Sequence, residues 1–163
     1  MDDLVNYARN ACVPNCHITI ELTLTGKVDR FHVQADGQPN YNWDVSNAQR
    51  DSLMALAGLT QAEFENIRKK MKACHCIWIE TGTCSNSGGE PYSSLGYKRV
   101  GLGAYSYCIF DKVPSDSVQN DFAKAPSCIR YNERVFFEYG GGAFGPDSFS
   151  PAIKQKFLEQ HKP

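Results

Sequence analysis

The clearest pattern of apolar and polar positions runs from His17 to Val33, "HITIELTLTGKVDRFHV". Ile18, Ile20, Leu22 and Leu24 alternate with His17, Thr19, Glu21 and Thr23, while Phe31 and Val33 alternate with Arg30 and His32. A period of two sends one set of side chains to a buried face and the other to an open one, so the segment predicts a half-buried β-hairpin. A two-residue turn at Gly26-Lys27, with glycine first as a type II′ turn prefers, sets Leu22 opposite Phe31 and Ile20 opposite Val33. The same register sets Glu21 opposite His32. A slip of one residue would bring Leu22 against Arg30, so the pattern selects against it.

Helical patterns flank and follow this hairpin. "LVNYARNA" reads as a short helix that stops before Pro14. Ser46 with Gln49, and Thr60 with Glu63, have the spacing of two capping boxes, and Leu59 and Phe64 sit at the staple positions of the second. Gly58 is a natural stop for the first of these helices. Phe64, Ile67 and Met71 give the second an apolar stripe. "CIWIET" and "YSYCIF" read as strands, "SDSVQNDFAKA" as a helix with Val118 and Phe122 one turn apart, and "CIRYNERVFFEY" as a second hairpin turning at Asn132-Glu133. A last helix starts near Ser150 and Pro151, with Ile153 and Phe157 on its inward side. Thr81 to Gly103, rich in Gly and Ser, reads as a long loop. Strands in antiparallel-looking pairs, separated by helices, predict an α+β fold. The expected architecture is a single domain over 1–163, with an antiparallel sheet of about five or six strands and helices mainly on one face.

Composition narrows the class without naming a function. Hydrophobic residues make up 42% of the 163 and charged residues 21%, as in a globular chain able to bury a core. The net charge of −1 gives no pull toward nucleic acid. No apolar run approaches the roughly 18–20 residues of a membrane span. "MDDLVNYARN" is acidic and lacks the apolar core of a signal peptide. The seven cysteines, Cys12, Cys16, Cys74, Cys76, Cys84, Cys108 and Cys128, nonetheless suggest an oxidising compartment. They allow up to three disulfides with one thiol over. The expected location is therefore periplasmic, cell-envelope or extracellular, in a bacterium, with the leader absent from this chain. The alternative is cytoplasmic.

Several motifs offer chemistry. Gly140, Gly142 and Gly145 show the G-x-G-x-x-G spacing of a dinucleotide loop, yet Pro146-Asp147-Ser148 follows and too little chain remains for a helix and second strand. They read as a turn, and no cofactor is expected. "NSGGEP" faintly echoes a serine nucleophile at Ser87, in a chain too short for the two-barrel protease fold. Cys74-His75-Cys76 with Cys84 carries zinc-ligand types at a spacing unlike paired knuckles. Cys16 or Cys84 with His17, His32 or His75 supplies the groups of a thiol hydrolase. Arg68 to Lys72 reads as a cationic helix end, where positive charge complements the dipole.

Aromatic residues crowd the second half of the chain. Tyr105, Tyr107, Phe136 and Phe137 are assigned to the core. Tyr92, Tyr97, Tyr139 and Phe144 remain candidates for recognition of a protein or a glycan. With Glu138 at the end of an expected strand and the basic pair Lys98-Arg99, these four make up the candidate binding residues. The expected function is a non-catalytic module that binds a protein or small ligand through its loops. A small Cys/Ser–His hydrolase and a cytoplasmic zinc-bearing interaction domain are the alternatives.

Overall fold

A computed structural model describes residues 1–35, 38–40, 43–83, 90–100, 103–140 and 149–160. The fold class is α+β, as the pattern predicts, with five helices and eight strands among the described residues. The chain divides into two compact units, Met1–Thr83 with Ser93–Leu95, and Cys84–Tyr92 with Gly96–Pro163.

In the first unit, helix α1 (Asp2–Ala11) leads to strands β1 (His17–Leu22), β2 (Val28–Ala35) and β3 (Gln38–Asn40). Helices α2 (Asn47–Ala57) and α3 (Gln61–Ala73) follow, then β4 (Trp78–Thr83). The strands lie antiparallel in the order β3-β2-β1-β4. Their apolar face carries Ile18, Ile20, Phe31, Val33 and Ile79, all fully buried. The helices bury Leu4, Val5, Ala8, Leu53, Met54, Phe64, Ile67 and Met71, and the Phe31 and Phe64 rings meet at 5.2 Å. Each of these side chains larger than Ala8 contributes about 1.5–3 kcal/mol by leaving water.

Both capping boxes form. The Ser46 and Thr60 side chains accept from the Gln49 and Glu63 amides, and the Gln49 and Glu63 side chains accept from the Ser46 and Thr60 amides. Gly58 ends α2 in the left-handed region at φ 71°, donating to Ala55 and Met54. The expectation of a helix stop at this glycine is met.

The first hairpin differs from expectation in register. Ile20 pairs with Phe31 and Ile18 with Val33, so Glu21 faces Arg30 and Thr19 faces His32. The cause is the turn. Gly26 N–H donates to Thr23 O at 2.8 Å, Thr23 N–H donates to Lys27 O at 2.8 Å, and Gly26 takes φ 80°. That is a three-residue loop closed by a left-handed glycine, where a two-residue loop was expected. A bulge between Glu21 and Leu22 absorbs one further residue. The net displacement is two residues, which leaves every side chain on its expected face. Leu24, expected in the strand, stands fully exposed at the loop tip. Arg68 of α3 holds this loop, donating to Gly26 O at 2.6 Å while also pairing with Glu65 at 2.7 Å.

Strand β5 (Tyr92–Val100) lies within the segment expected to be a loop, and its residues are divided between the units. Ser93 and Leu95 are fully buried, and Gly96 is buried too. Small residues allow close packing there but hide the alternation that marks a strand. Ser93 Oγ accepts from Arg9 of α1 at 2.7 Å within the first unit.

In the second unit, β6 (Gly103–Phe110) is followed by α4 (Asp116–Lys124), β7 (Cys128–Arg130), β8 (Val135–Gly140) and α5 (Pro151–Gln160). Strand β8 lies antiparallel between β6 and β7. The β7–β8 turn spans the expected Asn132-Glu133, and Asn132 Oδ1 accepts from both Arg134 and Val135 amides at 2.9 Å. Tyr92, Cys108, Phe110, Val118 and Phe136 form the core, with Phe122 of α4 packed on it. The inward residues expected of α5, Ile153 and Phe157, and the glycine run from Gly142 onward lie outside what is described.

Gly58→Ala should cost about 1–2 kcal/mol, because a Cβ there is strained at positive φ and strikes Val13 Cγ1. Thr60→Ala should cost about 1 kcal/mol through loss of the cap. Urea denaturation of each variant checks both values, and unchanged midpoints would contradict these roles.

Candidate functional site

The register between β6 and β8 sorts the aromatic residues. Tyr105 faces Tyr139 and Tyr107 faces Phe137 on one side of the strands, while Ser106 faces Glu138 and Cys108 faces Phe136 on the other. Helix α4 covers the second side, with Phe122 4.9 Å from Phe136 and 5.5 Å from Phe110. The first side is a connected set of rings. Tyr105 lies 4.7 Å from Tyr139 and stacks on Phe137 at 5.7 Å. Tyr107 lies 4.9 Å from Phe137 and meets Tyr131 edge-on at 6.5 Å. Phe149 is buried against this set, stacked on Phe137 at 5.7 Å and 6.1 Å from Tyr105.

Tyr105, Tyr107, Phe137 and Tyr139 are half-buried, and Tyr131 is 42% exposed. Four phenol rings thus keep part of their surface exposed, beside the Phe149 ring that packs on Tyr105, Phe137 and Tyr139. Gly103 belongs to the same arrangement, since a Cβ there would stand 2.7 Å from the Tyr139 hydroxyl and 2.9 Å from Gly140 O. Its absence lets the Tyr139 ring lie across the start of β6.

The expected binding residues fall in several places. Tyr139 joins the aromatic face. Glu138, its neighbour on β8, is directed to the opposite side, where it accepts from Cys108 Sγ at 3.3 Å and faces Cys128 across the strands. Tyr92 is buried in the core, 5.3 Å from Phe110. Tyr97, Lys98 and Arg99 are exposed on β5, a strand rather than a loop. Phe144 lies outside the described residues. Of the four aromatics assigned to the core, Phe136 is there, but Tyr105, Tyr107 and Phe137 are half-exposed. The signal was present in the sequence: aromatic residues recur at every second position in both "YSY" and "FEY", which is one face of a strand.

A second cluster occupies the polar side of β1, β2 and β4 in the first unit. Thr19 stands between His32 and Glu80, and Glu21 between Arg30 and Trp78. Thr19, Glu21 and His32 are buried, while Arg30, Trp78 and Glu80 on the neighbouring positions are partly exposed. The Arg30 guanidinium lies 4.9 Å over the exposed Trp43 ring.

The six described cysteines, Cys12, Cys16, Cys74, Cys76, Cys108 and Cys128, form no disulfide with one another, so the expected disulfides are not formed among them. Burial pushes Cys12 up to about 12, Cys76 and Cys128 up to about 11, and Cys16 upward as well. An activated nucleophile needs the opposite shift. Among the described residues, no three Cys, His, Asp or Glu side chains are grouped to hold a metal ion, and no helix is long and apolar enough to cross a membrane.

No family model, curated protein or solved structure matches this chain.

Burial, and then the nearby Arg30 charge, push the His32 imidazole below its ordinary 6.5. The folded state holds it neutral, whereas the unfolded chain takes up a proton near 6.5. The stabilisation is present above that value and is lost as pH falls below it. Thermal melts from about pH 8 down to about pH 5 should show this loss, and His32→Gln should flatten it. An equal acid slope in the variant would contradict the assignment.

Proposed function

We propose that the protein is a non-catalytic binding module whose ligand lies on the aromatic face of β6 and β8, and that this ligand is a saccharide. The observation that carries the reading is the connected set Tyr105, Tyr107, Tyr131, Phe137 and Tyr139, left partly open on the side away from α4. An antiparallel sheet that is covered on one side ordinarily turns polar residues to the other. Here the outer side carries rings whose faces suit the C–H faces of a sugar and whose hydroxyls can donate to and accept from sugar hydroxyls. Rigid Tyr side chains lose little entropy on contact, which makes them efficient binding groups.

Burial raises the Cys16 thiol, which counts against Cys16 as a hydrolase nucleophile, while Cys84 and Ser87 lie outside the described residues; the zinc-bearing domain has no grouped ligands to support it among the described residues. Density of cysteine supports a periplasmic, envelope or extracellular location, where saccharides are also accessible. A cytoplasmic location remains the alternative. Intact mass of protein from its native source, before and after reduction, separates the two, since seven free thiols would contradict the oxidising location.

Titration calorimetry against a panel of neutral and acidic oligosaccharides should find at least one binder. Tyr139→Ala and Tyr107→Ala should each weaken it tenfold or more, about 1.4 kcal/mol. Asn120→Ala, exposed on the α4 helix that covers the opposite side of the strands, should leave it unchanged. A panel without a binder, or affinity retained in both ring variants, would contradict the proposal.

A further inference from the structure

The link from β1 to β2, Thr23 to Lys27, carries a leucine at its tip. Leu24 is 102% exposed. A loop free to move would fold such a side chain back onto apolar surface, because apolar area is disfavoured in water. This loop is held in place. Thr23 N–H donates to Lys27 O and Gly26 N–H to Thr23 O, both at 2.8 Å. Lys27 N–H donates to Thr23 Oγ1 at 3.1 Å, and the Thr23 and Thr25 hydroxyls are hydrogen-bonded at 2.9 Å. From α3, Arg68 Nη2 donates to Gly26 O at 2.6 Å.

Lysines gather around the same loop. Lys72 of α3 lies against Gly26, where a Cβ would stand 2.8 Å from Lys72 Cε and 2.9 Å from its Nζ. Lys69, three residues earlier on the helix, is exposed, and so is Lys27 at the end of the loop. The carboxylates at this end are already engaged, Asp44 with Lys27 at 3.3 Å and Glu65 with Arg68 at 2.7 Å. Lys69 and Lys72 make no ion pair among the described residues. A leucine held out beside uncompensated ammonium groups fits a surface with phosphates above hydrocarbon. A nucleic acid would satisfy the lysines and leave the leucine in water. A neutral apolar pocket would take the leucine and offer the lysines nothing.

We infer that the β1–β2 loop docks the first unit on an anionic lipid surface, with Leu24 entering the edge of the hydrocarbon and Lys27, Lys69 and Lys72 facing the headgroup phosphates. This docking does not depend on a saccharide site, which would lie on β6 and β8 of the second unit. The net charge of −1 supplies no general attraction to such a surface, so adsorption is local to this loop and the end of α3. The loop is already ordered by its hydrogen bonds, so contact costs little further conformational entropy. One leucine and three lysines give weak, reversible adsorption, since even a whole myristoyl chain binds only marginally by itself. Exposed lysines are screened by salt, so adsorption falls as ionic strength rises.

Co-sedimentation of the full chain with vesicles tests this, using phosphatidylcholine alone and phosphatidylcholine carrying about 30% phosphatidylglycerol. The chain should pellet with the anionic vesicles at low salt, leave them as salt is raised, and stay in solution with phosphatidylcholine alone. Leu24→Ser, and the double substitution Lys69→Glu with Lys72→Glu, should each lower the ratio of bound to free chain about tenfold. All three side chains are exposed, and thermal melts check that both variants fold. No pelleting with anionic vesicles at low salt, or a Leu24→Ser variant that binds them as well as the parent chain, would overturn the inference. So would unchanged binding by the double lysine variant, or equal binding to the two kinds of vesicle.

Discussion

The two-residue period of a β-strand governs what this chain can present to its surroundings. Along β8, Phe136 and Glu138 go to one side and Phe137 and Tyr139 to the other. Along β6, Cys108 joins the first pair, and Tyr105 and Tyr107 join the second. Helix α4 can cover only one side, and it covers the one bearing Phe136. The aromatic set opposite is therefore a consequence of register. A one-residue slip would send the Tyr and Phe rings under the helix and bring the Glu138 carboxylate to the surface.

The same constraint explains the polar cluster of the first unit. The helices take the side of Ile18, Ile20, Phe31 and Val33, so Thr19, Glu21, Arg30 and His32 must share the other. Strand β1 has partners on both flanks, and its polar residues Thr19 and Glu21 are buried between β2 and β4. Burial of polar groups here follows from strand position, and it leaves His32 neutral in the fold.

Much of this was legible in the residues. Both capping boxes, the Gly58 stop and the stripe of Phe64, Ile67 and Met71 have local signals, and local signals were sufficient. The hairpin's faces were legible from alternation, but its register was not, because Gly26 fits a three-residue loop as readily as a two-residue one. Strand β5 escaped because Ser93, Ser94 and Gly96 carry almost no hydropathic contrast. Among the candidate site residues, Tyr139 lies on the open face. Glu138 and Tyr92 point elsewhere for reasons of parity and packing, which depend on partners distant in sequence. Cysteine count alone says nothing of pairing, and the described cysteines form no disulfide with one another.

The account rests on the rings beside Phe149 on the aromatic face remaining accessible to a ligand while the α4 side is closed. Ring resonances of Tyr and Phe, followed by NMR as a binding oligosaccharide is added, address this most directly. The account predicts shifts at Tyr105, Tyr107, Tyr131, Phe137 and Tyr139, with Tyr92, Phe110 and Phe136 unmoved. Shifts centred on Tyr92 and Phe110, with the outer rings silent, would contradict it.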